Sequence, residues 1–362
     1  MKGTKIWIIG VIILMTGCVR DSKETVGNVE IEPIEIEEVK EFQADTIQVV
    51  DDEHYNLAFQ EINQMLEGEI PIDFKRAVFL VEWAYLNGKL DYGTFSGKIS
   101  KIGKDLKQFI QEKGVGHYKT SGNYALFEFF TKPHKMNNHK PFIYDFNDFY
   151  GRENYRNVFV SKLMETHKGQ CRSMPMFYKI LSEEIGAESY LALAPNHMYI
   201  KHLDEQGKWV NIELTNSNFS SDSWMISSMD ITAESIRKGV YMKELSIKES
   251  VAFCLLELAF AHQNKNGFSE FGLLCSETTL KYFPNCMPAL MNKANTLRQF
   301  GLDYIEKNGR KESPFIVDNY KRFKEAEAKI EELGFREMSP DKYEAWVKSM
   351  EEEQQKKISQ SN

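Results

Sequence analysis

Apolar residues return every three or four positions through much of this chain, which predicts helices. "HYNLAFQEINQMLEGE" and "DFKRAVFLVEWAYLNGKL" each carry one apolar stripe and run out near Gly or Asn. "TFSGKISKIGKDLKQFIQEKG" and "SGNYALFEFFTKP" extend the helical stretch to Pro133. From about Ser246 the period returns in "KESVAFCLLELAFAHQN", "FSEFGLLCSETTLKYFPN", "CMPALMNKANTLRQFG" and "YKRFKEAEAKIEELGF". Between the two blocks lies one more helix, predicted from Arg172 to Ile185. Met174, Phe177, Tyr178, Leu181 and Ile185 form its face, and Gly186 stops it. Alternation then takes over in "SYLALA" (189–194), "HMYIKH" (197–202) and "WVNIELT" (209–215), which predicts short strands. "DEQG" turns between the last two. A helix followed by consecutive strands is an α+β order. The tail "EEEQQKKISQSN" is expected to fray.

The first residues follow a different logic. "MKGTKIWIIGVIILMTGC" places Lys2 and Lys5 before an apolar run from Ile6 to Met15. That is the order of a secretory signal, and the run is short for a membrane span. Thr16-Gly17-Cys18 resembles a bacterial lipobox. The resemblance implies that residues 1–17 are removed and that acyl chains on Cys18 anchor the exported protein to a membrane of the cell envelope. Residues 19–48 hold nine acids and three bases, so 18–48 reads as the lipidated cysteine and a solvated tether.

Charge and cysteine usage remove several classes of function. The net charge is −8, and the leader carries two lysines and no acid, so the remainder is more acidic still. Such a chain has no electrostatic reason to bind nucleic acid. Five cysteines (Cys18, Cys171, Cys254, Cys275, Cys286) are too sparse for a disulfide framework, so apolar burial must supply the core. Cys254, Cys275 and Cys286 have apolar neighbours on the later helices and read as core thiols. His134 and His139 share the loop "HKMNNHKP" with no carboxylate or thiol at useful spacing, so no metal site and no cofactor is expected.

Chemistry is concentrated in three residues, in the order Cys171, His197, Glu213. A thiol nucleophile needs a base, and that base needs a third group to fix its tautomer and stabilise its cation. Strand parity tests whether they meet. His197 shares a face with residues 199 and 201, and Glu213 shares one with Trp209 and Asn211. Pairing Met198 with Ile212 and Ile200 with Val210 buries the apolar faces together and sets His197 directly opposite Glu213. That register asks for a three-residue loop around Asp204, Glu205 and Gln206.

"GQCRSMPMFYKILSEEIGAESYLALAPNHMYIKHLDEQGKWVNIELTN" resembles the transglutaminase-like superfamily of papain-type cysteine folds. The shared features are Gly-x-Cys opening a helix, a histidine on one strand, and an acid on the next strand after a Trp. Glu213 stands where the family usually has Asp. The resemblance covers roughly residues 140–220. It implies a thiol-dependent amide hydrolase or acyltransferase acting on a peptide or protein amide, with Cys171, His197 and Glu213 catalytic. Gln170 and the Cys171 backbone N–H are candidates for stabilising the oxyanion. Asn196 is read as orienting His197 or turning the chain, and Trp209 as shielding the site. "KYFPNCMPALMNKANTL" resembles the joint between two tetratricopeptide repeats. The expected organisation is therefore a leader (1–17), a tether (18–48), an N-terminal helical region (49–135), a transglutaminase-like core of helix on antiparallel sheet (136–245) and a helical repeat-like region (246–362). A rival reading keeps this architecture as an inactive scaffold whose helical array holds a protein partner.

Overall fold

The computed structural model describes residues 53–148, 151–336 and 340–360. The leader, Cys18 and the acidic tether lie outside the described residues. Among the described residues no helix is long and apolar enough to cross a membrane.

Four helices come first: α1 (Glu53–Glu67), α2 (Phe74–Tyr85), α3 (Tyr92–Glu112) and α4 (Ser121–Thr131). Asp73 and Asp91 start α2 and α3 by accepting the backbone N–H of Arg76 (2.9 Å) and Thr94 (2.8 Å). The middle of the chain holds β1 (Ile143–Tyr144), α5 (Val160–Thr166), β2 (Lys168–Gly169) and α6 (Ser173–Ile185). A four-stranded antiparallel meander follows: β3 (Tyr190–Ala194), β4 (His197–Leu203), β5 (Trp209–Glu213) and β6 (Asn218–Ser220), in that spatial order. The rest is helical: α7 (Asp222–Ser228), α8 (Ala233–Arg237), α9 (Ile247–Asn266), α10 (Glu270–Tyr282), α11 (Met287–Asn308), α12 (Pro314–Glu332) and α13 (Pro340–Gln360). The class is α+β, mostly helical with a small antiparallel sheet, as the hydrophobic pattern predicts.

Helix α6 is the axis of the fold. Gly186 ends it at φ 77°, a left-handed conformation that costs glycine little. Every residue from Ser173 to Ser182 is buried, because α3, α4 and α5 pack around α6 while β3 and β4 cover it. The helix is therefore wrapped on all sides, and its start, where Cys171 sits, is fixed in space.

The sheet register differs from the expected one by one step of the loop. Ile200 pairs with Ile212, and His202 with Val210. The loop is Glu205-Gln206-Gly207, one residue later than expected. Asp204 causes the shift: its Oδ1 accepts the backbone N–H of Gln206 (2.9 Å) and of Lys208 (2.8 Å). Gly207, at φ 78°, takes the left-handed position that a three-residue hairpin needs. One loop step moves the register by two, so face parity survives. His197 and Glu213 stay on one face as diagonal neighbours.

Buried side chains from Tyr55 to Met350 form one continuous core. Two buried polar contacts tie its parts. The Glu82 carboxyl group on α2, pushed up to about 7 by burial, accepts the N–H groups of Val160 (2.7 Å) and Ser161 (3.0 Å) at the start of α5. The Arg172 guanidinium, next to Cys171, meets Glu257 on α9 at 3.1 Å and lies against the rings of Tyr155 and Phe260.

Candidate active site

Gly169 brings the chain to the nucleophile. A Cβ there would lie 2.7 Å from Ser173 Oγ and 2.8 Å from Leu163 Cδ1, so only glycine permits the approach. Ser173 Oγ then accepts the Gln170 N–H (2.9 Å) and donates to the Asn157 carbonyl (3.1 Å). This holds the bend that places Cys171 just ahead of α6. Cys171 is half-buried, whereas Cys254, Cys275 and Cys286 are fully buried. Burial lifts the Cys254 and Cys275 thiols well above the ordinary range and Cys286 to about 12. Those three are core thiols, as expected.

The structure brings the three chemical residues together. His197 Nε2 lies 2.6 Å from Glu213 Oε2, with both side chains shut off from water. Glu213 Oε1 accepts the Thr215 N–H at 2.9 Å. A diagonal pair across a sheet is separated by about 7–8 Å at Cα, and the extra methylene of glutamate helps to span it. That is a physical reason for Glu at this position. Burial works against a charged His197, but the Glu213 charge and the neighbouring Cys171 thiol outweigh it and push the ring up to about 10. Burial likewise opposes an ionised Glu213, and His197 and Thr215 overcome it and hold the carboxyl below its ordinary range. His197 Nδ1 is buried without a hydrogen-bond partner. With Nε2 engaged, Nδ1 is the nitrogen left for the thiol.

The supporting residues fall differently from expectation. Gln170 does not offer its amide to the site: Nε2 donates to the Asp148 carbonyl. Trp209 does not shield the triad. It is 41% exposed and packs edge-on against Tyr190, four residues along β5 from Glu213, about 13 Å at strand rise. Asn196 turns the chain. Pro195-Asn196 links β3 to β4, and Asn196 takes φ 55°, the order of a type II turn. Its carbonyl faces the Cys171 sulfur at 4.0 Å.

The cover comes from α13, which stays helical to Gln360 although the sequence from Glu351 predicts a frayed tail. Trp346 meets the His197 ring edge-on at 5.0 Å between centroids. Tyr343 stacks on Trp346, and its hydroxyl donates to the Asn196 carbonyl at 3.4 Å. The Glu353 carboxylate accepts from Asn216 (2.8 Å) and Asn218 (3.0 Å) beyond Glu213. Tyr343, Trp346, Val347 and Met350 are all buried, a stripe at i, i+3, i+4 and i+7. That spacing in "YEAWVKSM" was the signal for it.

No metal-ligand cluster of three or more His, Cys, Asp or Glu residues occurs among the described residues. An open groove of about 840 Å³ lies along α1 and α2, lined by Trp83, Tyr92 and the Glu61–Arg76 ion pair, and is separate from the triad. No protein-family model, no curated protein and no solved structure matches this chain.

Proposed function

We propose that this chain is a surface-tethered bacterial lipoprotein whose transglutaminase-like core uses Cys171, His197 and Glu213 to cleave or transfer a peptide-like amide. One observation carries the reading: the His197 ring is divided, with Nε2 held by Glu213 at 2.6 Å and a buried, unpartnered Nδ1 left for the thiol. The thiol gives its proton to Nδ1, and sulfur attacks the amide carbonyl carbon as its π electrons move to oxygen. The C–N bond then breaks, the leaving amine takes the proton from Nδ1, and a thioester remains. Water or a second amine attacks that thioester and passes its proton back through Nδ1, releasing the sulfur. Glu213 orients the ring and stabilises its cation throughout.

The helices α9 to α12 fit a tetratricopeptide-like array that would hold a protein partner. A scaffold reading of the whole chain has one observation in its favour. Trp346 and Tyr343 lie over a histidine that is 2% exposed.

Alkylation by iodoacetamide across pH separates the two readings, because Cys171 is the accessible thiol among the described cysteines. The wild-type rate should stay level between about pH 6 and 8, since His197, pushed up to about 10, remains a cation beside the sulfur throughout that range. His197→Ala should be slower at about pH 6 by tenfold or more, as a free thiol is mostly protonated there. Cys171→Ala should remove the label. Identical, ordinary thiol profiles in wild type and His197→Ala would leave the scaffold reading. For the anchor, Cys18→Ser should abolish palmitate incorporation and free the protein from membranes. A wild-type chain that carries no lipid ends that part of the proposal.

A further inference from the structure

We propose that Tyr144 supplies the side-chain hydrogen bond to the oxyanion formed at Cys171; the inference rests on the acyl-transfer reading above. The role needs a donor, and Gln170 is not available because its amide is bound to the Asp148 carbonyl. Strand β1 puts another donor at the same place. Tyr144 pairs with Gly169 in the parallel β1–β2 ladder, two residues before the nucleophile. The bonds from Ile143 N–H to the His167 carbonyl (2.9 Å) and from Asp145 N–H to the Gly169 carbonyl (2.8 Å) fix the strand on both sides of it.

Tyr144, Tyr155 and Tyr199 each bury a hydroxyl with no hydrogen-bond partner among the described residues, and of these Tyr144 is the one set beside the nucleophile by the β1–β2 ladder. Tyr144 is 2% exposed, and its buried hydroxyl has no hydrogen-bond partner. Buried tyrosine hydroxyls usually find one, and leaving one unmade is costly. The hydroxyl is a neighbour of the Cys171 thiol, of Tyr343 and of Glu213. Burial first, then the charge of those neighbours, raises it well above the ordinary phenol range. It therefore keeps its proton throughout the working pH range and acts as a donor, not a base. The Cys171 backbone N–H is also without a partner among the described residues. A carbonyl oxygen attacked at Cys171 would be met by two donors, the Cys171 N–H and a hydroxyl whose one polar neighbour at hydrogen-bonding range is the attacking sulfur itself. The unmade bond in the resting chain is then a preorganised one, completed only when negative charge develops.

The test sets two reactions of one thiol against each other in the full-length chain. Acylation by p-nitrophenyl acetate passes through a tetrahedral oxyanion, and alkylation by iodoacetamide does not. Tyr144→Phe keeps the ring and its packing and removes only the oxygen. Acylation of Cys171, followed by nitrophenolate release, should fall by roughly 10²-fold in this variant. Alkylation, which forms no oxyanion, should change far less. Unchanged acylation overturns the proposal. A parallel loss of both reactions also overturns it, since the hydroxyl would then be serving the thiol or the fold. If the wild-type chain is acylated no faster than Cys171→Ala, the acyl-transfer reading has failed, and the inference falls with it.

Discussion

Glu213→Gln is expected to destabilise the folded chain by about 3 kcal/mol near pH 6, and by less near pH 9. The wild-type carboxylate lies 2.6 Å from His197 Nε2, and the two side chains are 2% and 1% exposed. Without its charge, a buried imidazolium loses the larger of the two partners that offset its desolvation, and only the Cys171 thiol remains. The sign follows from both partners. Burial disfavours the His197 cation, yet Glu213 and the thiol push the ring from 6.5 to about 10. Its contribution is complete below 6.5 and fades as pH rises through about 10. Burial also disfavours the Glu213 anion, and His197 and Thr215 pull it below 4.5. That contribution is complete above 4.5 and fades as pH falls through the folded-state value. The gap between wild type and variant should therefore be widest between 4.5 and 6.5 and narrow on either side. Denaturant midpoints measured across pH read this directly. A gap that is flat with pH, or widest near pH 10, would mean that the pair is not ionised in the folded chain.

How much of this site was legible depended on how local the cause was. The α6 boundaries were readable because Gly186 and the apolar stripe are in the helix itself. Face parity was readable because it depends only on counting along two strands. The register was not, since both faces of β4 are buried and hydrophobic alternation alone does not choose between slips of two. The choice was made by the Asp204 side chain gripping its own loop. Gln170 and Trp209 were misassigned for a related reason. Each sits at the right place in the sequence, but Gln170 is claimed by a carbonyl twenty-two residues upstream, and Trp209 lies too far along its strand. Tyr144 carries no local pattern at all. It reaches the thiol only because a two-residue parallel ladder brings β1 beside β2. The stripe on α13 was legible, though its target was not: an apolar face says that it will be buried and does not say against what.

Trp346 and Trp209 separate a shield inferred from strand order from the one the fold provides. Trp346→Ala should lower stability by up to about 3–5 kcal/mol, the range for truncating a buried aromatic. The ring is 6% exposed and sits edge-on to His197. The loss is capped by what α13 contributes in docking, because this helix can part from the site before the rest unfolds. Its apolar contact is one stripe, Tyr343, Trp346, Val347 and Met350, and its polar ties to the Glu213 end of the sheet run through Glu353. Removing the largest member of that stripe should loosen the whole helix. Amide hydrogen exchange in α13 should accelerate in the variant, and a bulky maleimide should reach Cys171 faster relative to iodoacetamide. Water admitted beside the His197–Glu213 pair would also screen their attraction, so the level part of the alkylation profile should end at a lower pH. Trp209→Ala should do none of this, since its ring is 41% exposed and rests on Tyr190 at the far end of β5. Equal responses from the two variants would show that α13 does not cover the site in solution. The histidine would then be open to substrate without any movement of the C-terminal helix.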